Sequence, residues 1–141
     1  MDRQEFQAFL DAISDCFIAG DFAPWRDRIR LPFTMITRTG PVVLTTEDAL
    51  RRNFELYIVA CKALNLDQIY RQPVALELCE DGTIIGTYAT DLLSRGKRAT
   101  PRYTSSMLLV SDPGGWKMTS ILNARGHHDW TGFEPEKETN Q

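Results

Sequence analysis

Long apolar runs are missing from this chain. Nothing in its 141 residues reaches the roughly 18 consecutive apolar positions of a membrane-spanning helix. The amino terminus, MDRQEFQAFLDAI, is broken by charges where a secretory leader needs an uninterrupted apolar core. The expectation is a cytoplasmic protein with no membrane partner. Cysteine is scarce and odd in number: Cys16, Cys61 and Cys79 show no C-x-x-C spacing. Two of the three fall on apolar helix faces, so reduced thiols serving as small core residues are expected. A surplus of positive charge is lacking as well. The net charge is −3, and basic residues alternate with acids except in SRGKRATPR. That balance argues against nucleic acid as the partner, and the one basic stretch reads as a solvated hairpin tip. No motif calls for a nucleotide, flavin or metal cofactor.

What is present fits an ordinary globular domain. Hydrophobic residues make up 43% of the chain and charged residues 25%, and the length suits one domain with a core that needs no disulfide or structural metal. Phe6, Phe9, Leu10, Ile13, Cys16 and Phe17 recur at the spacing of one helical face, and Gly20 supplies a stop. This predicts a first helix over residues 2 to 19. DFAPWRDRIR holds a proline suited to a first helical turn, so a short second helix follows. FTMIT and GPVVLT read as brief strands joined through Thr39-Gly40. A second long helix begins at Thr45 or Thr46, with Glu47 and Asp48 in its first turn, where the helix dipole favours anions.

From residue 69 the hydrophobic period changes to two. IYRQPVALELCE, TIIGTYATDLLS, ATPRYTSSMLLVS and WKMTSILNARG are four extended segments separated by glycine-bearing turns. They predict a long antiparallel meander. Strands of that length must twist and curl, and Pro73 and Gly86 stand where a bulge or edge irregularity would help.

This order, carried by FTMITRTGPVVLTTEDALRRNFELY and the closing GGWKMTSILNA, resembles the nuclear-transport-factor-2-like (NTF2-like) superfamily, in particular its SnoaL-like and ketosteroid-isomerase-like group. The resemblance implies an α+β, cone-shaped, cystatin-like fold. In it a strongly curved antiparallel or mixed sheet wraps around two long helices and one short helix. It further implies one domain over residues 1–126 with a polar tail over 127–141, a homodimer through the outer sheet face, and an open-ended pocket for an apolar or aromatic small molecule of unassigned identity. Isomerase, dehydratase or hydrolase chemistry by acid and base groups is one reading. A non-catalytic dimerisation or protein-interaction module is the other.

Residue by residue, the enzyme patterns of the group are incomplete. A ketosteroid-isomerase-like base is absent from LPFTMITRTG, which holds no acid, and Asp91 lacks the second aspartate that a limonene-epoxide-hydrolase-like site needs. A scytalone-dehydratase-like site is approached only in residue types, because His127 and His128 are adjacent and extended neighbours point to opposite sides. Asp91, mid-strand in TYATDLL, is the candidate acid or base; its alternative is a hydrogen-bonded or outward-facing carboxylate. His127 is the second catalytic candidate. His127 and Asp129 share a side without a third ligand nearby, which makes a polar tail the simpler reading and leaves no metal site predicted. Candidate ligand-binding residues are Trp25, Phe33, Tyr57, Tyr88, Tyr103 and Asn123. Each aromatic among them also has an ordinary reading as a core or sheet-packing ring.

Overall fold

The structure, a computed structural model, describes residues 1–124. His127 and the remainder of the expected tail lie outside the described residues. Three helices and seven strands follow in the order α1 (Arg3–Ala19), α2 (Phe22–Arg26), β1 (Ile29–Thr37), β2 (Gly40–Leu44), α3 (Glu47–Ala63), β3 (Gln68–Leu78), β4 (Ile84–Ser94), β5 (Lys97–Arg98), β6 (Tyr103–Asp112) and β7 (Gly115–Leu122).

The helices start and stop on their own chemistry. Asp2 and Glu5 form a reciprocal capping box at the head of α1, and Gly20 closes it in the left-handed conformation, φ 71°. Thr46 rather than Thr45 caps α3, its hydroxyl accepting from the Ala49 amide. Phe6, Leu10, Ile13 and Phe17 of α1 and Leu50, Phe54, Tyr57 and Cys61 of α3 are buried, so each helix turns one stripe inward. Between them, α2 is a single turn and a half around Pro24 that delivers Trp25 into the core.

All seven strands belong to one mixed sheet of order β2-β1-β7-β6-β4-β3, with β5 added to β4. The expected meander is present as β3, β4, β6 and β7, and β1 joins it by parallel pairing with β7. The two-residue strand β5 was not anticipated. It forms because Arg95 and Gly96 both take positive φ, 52° and 76°, the geometry that folds a two-residue hairpin back onto its strand.

The two positions expected to bend the sheet act differently. A register shift does fall between Pro73 and Ala75, where proline removes a ladder donor. Gly86 is in register with Met107 and Leu76, without a bulge. Its role is close approach: a methyl group there would lie 2.5 Å from Cζ of Phe6. The missing side chain lets α1 set the Phe6 ring against the sheet, edge-on to Tyr88 at 6.3 Å between centroids.

Candidate functional site

Cross-strand register decides which residues meet. Arg71 of β3, Thr90 of β4 and Tyr103 of β6 are directly opposite one another, and Tyr88 is opposite Ser105 in the next inward row. Residues facing each other across a sheet share one side, and here that side lies under the helices. These five, with Tyr57 of α3, bound a cavity of about 50 Å³. Its other walls are apolar: Ile13 and Phe17 from α1, Trp25 from α2, and Phe33, Met35, Met107 and Met118 from the sheet. The space is room for roughly three to five waters.

The polar end of this cavity is built around a buried cation. Arg71 is only 7% exposed. Its Nη1 donates to Ser14 Oγ at 2.7 Å, and its guanidinium carbon lies 5.8 Å from the Phe17 ring centroid, within reach of a cation–π attraction. The Gln7 side chain donates to the Arg71 carbonyl and so ties α1 to β3 at this point. Arg71 is the one charged group among the described residues that line the cavity.

Its field reaches the neighbouring hydroxyls and thiol. Burial raises Tyr57 far above its ordinary value, reinforced by Tyr103 and Tyr88 and opposed by Arg71. Burial also raises Tyr88, against Arg71 and a hydrogen bond with Ser105. Both phenols therefore keep their protons and act as donors rather than as bases. Thr90 is 1% exposed, and its Oγ1 is a buried side-chain oxygen with no hydrogen-bond partner. An unsatisfied buried hydroxyl costs about 1–3 kcal/mol, so its orientation onto a cavity is informative.

Most of the candidates named from sequence come together here. Trp25, Phe33, Tyr57, Tyr88 and Tyr103 all line the cavity. Trp25 sits deeper than a mouth position: it is 3% exposed and its ring lies 5.3 Å from Phe54 and 5.9 Å from Phe17. Asn123 does not line the cavity. It is exposed, at φ 60°, with its carbonyl accepting from Ser105 Oγ and its amide donating to the Thr104 carbonyl; the adjacent Ala124 takes the lining position.

Asp91 is placed away from the cavity. It lies between Thr90 and Leu92, whose side chains face the helices, so its own side chain takes the opposite face. There Arg98 Nε donates to Oδ1 at 2.8 Å, and Arg102 Nε lies 3.9 Å from Oδ2. The carboxylate is nearly buried by this clamp and pins β5 to β4. His127 lies outside the described residues. Among the described residues no cluster of three or more His, Cys, Asp or Glu side chains is arranged to hold a metal ion, and no helix is long and apolar enough to cross a membrane.

Arg71, Thr90 and Ser105 were missed by sequence reasoning. For Arg71 a signal existed: IYRQPV places it two residues after Ile69, in the apolar phase of the strand, and a cation in that phase points inward.

No protein-family model matches this chain, and no curated protein does. Solved structures do. A cystatin-like-fold domain of unknown function from Nostoc punctiforme superposes with a TM-score of 0.65 at 13% identity, covering 88% of this chain and 76% of its own. Aln2 from a Streptomyces species gives 0.64 at 18% identity, with 84% and 86% covered. An NTF-2-like protein of unknown function from Shewanella oneidensis gives 0.60 at 12%, with 86% and 97% covered. At these identities the likeness establishes the fold. The chain is an α+β protein with the NTF2-like, cystatin-like architecture that its element order implied.

Proposed function

We propose that this NTF2-like chain is a small-molecule-binding protein whose site is the cavity between α1, α2, α3 and the inner face of the sheet. The carrying observation is Thr90: a buried hydroxyl with no partner, aimed into a space that also holds a buried guanidinium and apolar walls. A cavity that served only packing would be dry and apolar, whereas a few convergent polar groups in an apolar pocket are the usual mark of ligand orientation.

Binding is favoured over acid–base catalysis. The described lining residues include no carboxylate and no imidazole, and Asp91 is committed to Arg98 on the far face. Tyr57 and Tyr88, with raised pKa values, are poor bases near neutral pH. The test is native mass spectrometry of the protein as purified, against its denatured mass. A small bound mass that is lost in Tyr57→Phe or Thr90→Val supports the reading. A bound mass that survives both substitutions places the ligand elsewhere and contradicts it.

A second reading, self-association, is favoured by the outer face. Ile85, Leu108, Ser120, Thr34 and Val43 form one outward row, and Thr87, Ser106, Leu122 and Ile36 form the next. Ile85 is 37% and Leu122 55% exposed; neither row carries a charge from β4 across to β2, and Glu77 of β3, opposite Ile85, adds one at the edge. We propose that a second copy of the chain covers these rows. The two readings are compatible, since they use opposite faces of one sheet.

A further inference from the structure

We propose, resting on the small-molecule reading above, that the ligand is a small neutral carbonyl compound, an aliphatic ketone or aldehyde of about four non-hydrogen atoms, whose oxygen accepts from Thr90. The other polar groups that the structure details in this cavity are engaged within the protein. Arg71 donates to Ser14 and lies 5.8 Å from the Phe17 ring centroid. Tyr57 Oη donates to Met35 Sδ at 4.0 Å. Tyr88 and Ser105 are hydrogen-bonded to each other, and Ser105 donates to the Asn123 carbonyl. Thr90 Oγ1 is the one buried side-chain oxygen or nitrogen among the described residues with no hydrogen-bond partner. A ligand matched to this cavity therefore needs one polar atom, placed at Thr90, and an otherwise apolar surface.

Proton counting decides the chemistry of that atom. A threonine hydroxyl carries one proton and accepts through its lone pairs. A carbonyl oxygen takes that proton and brings none of its own, so a single hydrogen bond serves both partners. An alcohol in the same place leaves one of the two protons in search of a second acceptor. A primary amide adds N–H donors, and a carboxylate adds a charge whose burial is costly. A purely apolar ligand leaves Thr90 as unsatisfied as before. The rest of the molecule meets Phe33, Trp25, Met35, Met107 and Met118, and methionine is adaptable and polarizable enough to mould around small apolar shapes. A cavity of about 50 Å³ takes a molecule the size of acetone or propanal and excludes a six-membered ring.

Methyl NMR of the methionine-labelled, full-length protein, titrated with acetone, acetate and cyclohexanone and separately pressurised with xenon, tests this directly. Met35, Met107 and Met118 line the cavity and report its occupancy, while Met1 borders a different groove and serves as the control. Xenon makes no hydrogen bond and probes the apolar space alone. Acetone should shift the three cavity methyls and bind about fivefold more weakly in Thr90→Val, the scale of one neutral hydrogen bond, with xenon binding no weaker in that variant. Acetate, matched to acetone in size, should bind more weakly than acetone, and cyclohexanone should leave the methyls unmoved. These comparisons among probes use the unaltered protein and hold whether or not the variant folds. Acetone binding equally well to Thr90→Val, or acetate binding as tightly as acetone, would overturn the carbonyl assignment while xenon shifts uphold the small-molecule reading. Shifts with cyclohexanone would overturn the assignment of size. Failure of every probe, xenon included, to move the three cavity methyls would overturn the proposal together with the small-molecule reading beneath it.

Discussion

Thr90 carries a buried hydroxyl with no hydrogen-bond partner in the protein. Thr90→Val should therefore raise the stability of the ligand-free protein by up to about 1–2 kcal/mol, because a shape-matched apolar group ends the desolvation penalty. Urea denaturation of the two forms measures this; a less stable valine variant would mean that the hydroxyl is satisfied in solution. Asp91 is expected to behave in the opposite sense. Asp91→Ala should leave ligand binding unaltered and cost about 1 kcal/mol or less, because its partner Arg98 is largely exposed.

The thiols and phenols set a pH dependence at the same scale. Burial pushes Cys61 from 9.0 up to about 11, opposed by Arg71, and raises Cys16, Tyr57 and Tyr88 as well. In each case the folded state retains the proton that the unfolded chain releases first. Stability is thus fully present below about pH 9 and falls as pH rises toward 11. The denaturation midpoint should drop across that window. Thiol labelling near neutral pH should modify Cys79, which is partly exposed, ahead of the buried Cys16 and Cys61.

Elements translate these residues into positions. The α1–β4 contact depends on Gly86 leaving space for the Phe6 ring. Gly86→Ala should destabilise the fold by about 1–3 kcal/mol, the usual effect of overpacking a filled core, seen as a lower melting temperature. Both long helices, the Gly20 stop, the threonine cap of α3 and the four meander strands were legible in the sequence, because period 3.6, period 2 and turn residues are local signals; the Asp2–Glu5 capping box of α1 was not read. The phase of the strands was not. Alternation states that Thr90 and Asp91 face opposite sides but not which side is inner. In β4 the cue is further blurred, since every residue from Tyr88 to Leu92 is buried. Asp91 drew attention as the lone mid-strand acid, whereas the inward polar residues were Thr90 and Arg71. The parallel β1–β7 pairing and the short β5 were equally hidden. Each depends on where distant segments meet rather than on any local pattern.

At the scale of the whole molecule, one sheet separates two surfaces. Its inner face and the helices enclose the cavity, and its outer face presents two largely uncharged rows with exposed Ile85 and Leu122. If the outer face joins two copies, Leu122→Lys should shift the protein toward monomer in size-exclusion chromatography with light scattering, while ligand affinity changes little. An unchanged assembly would place any self-association elsewhere. The central claim concerns the inner face, and the chain carries its own reporters for it. Of its four methionines, Met35, Met107 and Met118 line the cavity, whereas Met1 borders a different, surface groove. Methyl NMR of methionine-labelled protein, as purified and again after unfolding, dialysis and refolding to strip bound small molecules, is therefore the most direct measurement. The account predicts differences at Met35, Met107 and Met118 with Met1 unmoved, and loss of those differences in Thr90→Val. Differences confined to Met1, or none between the two preparations, would contradict it.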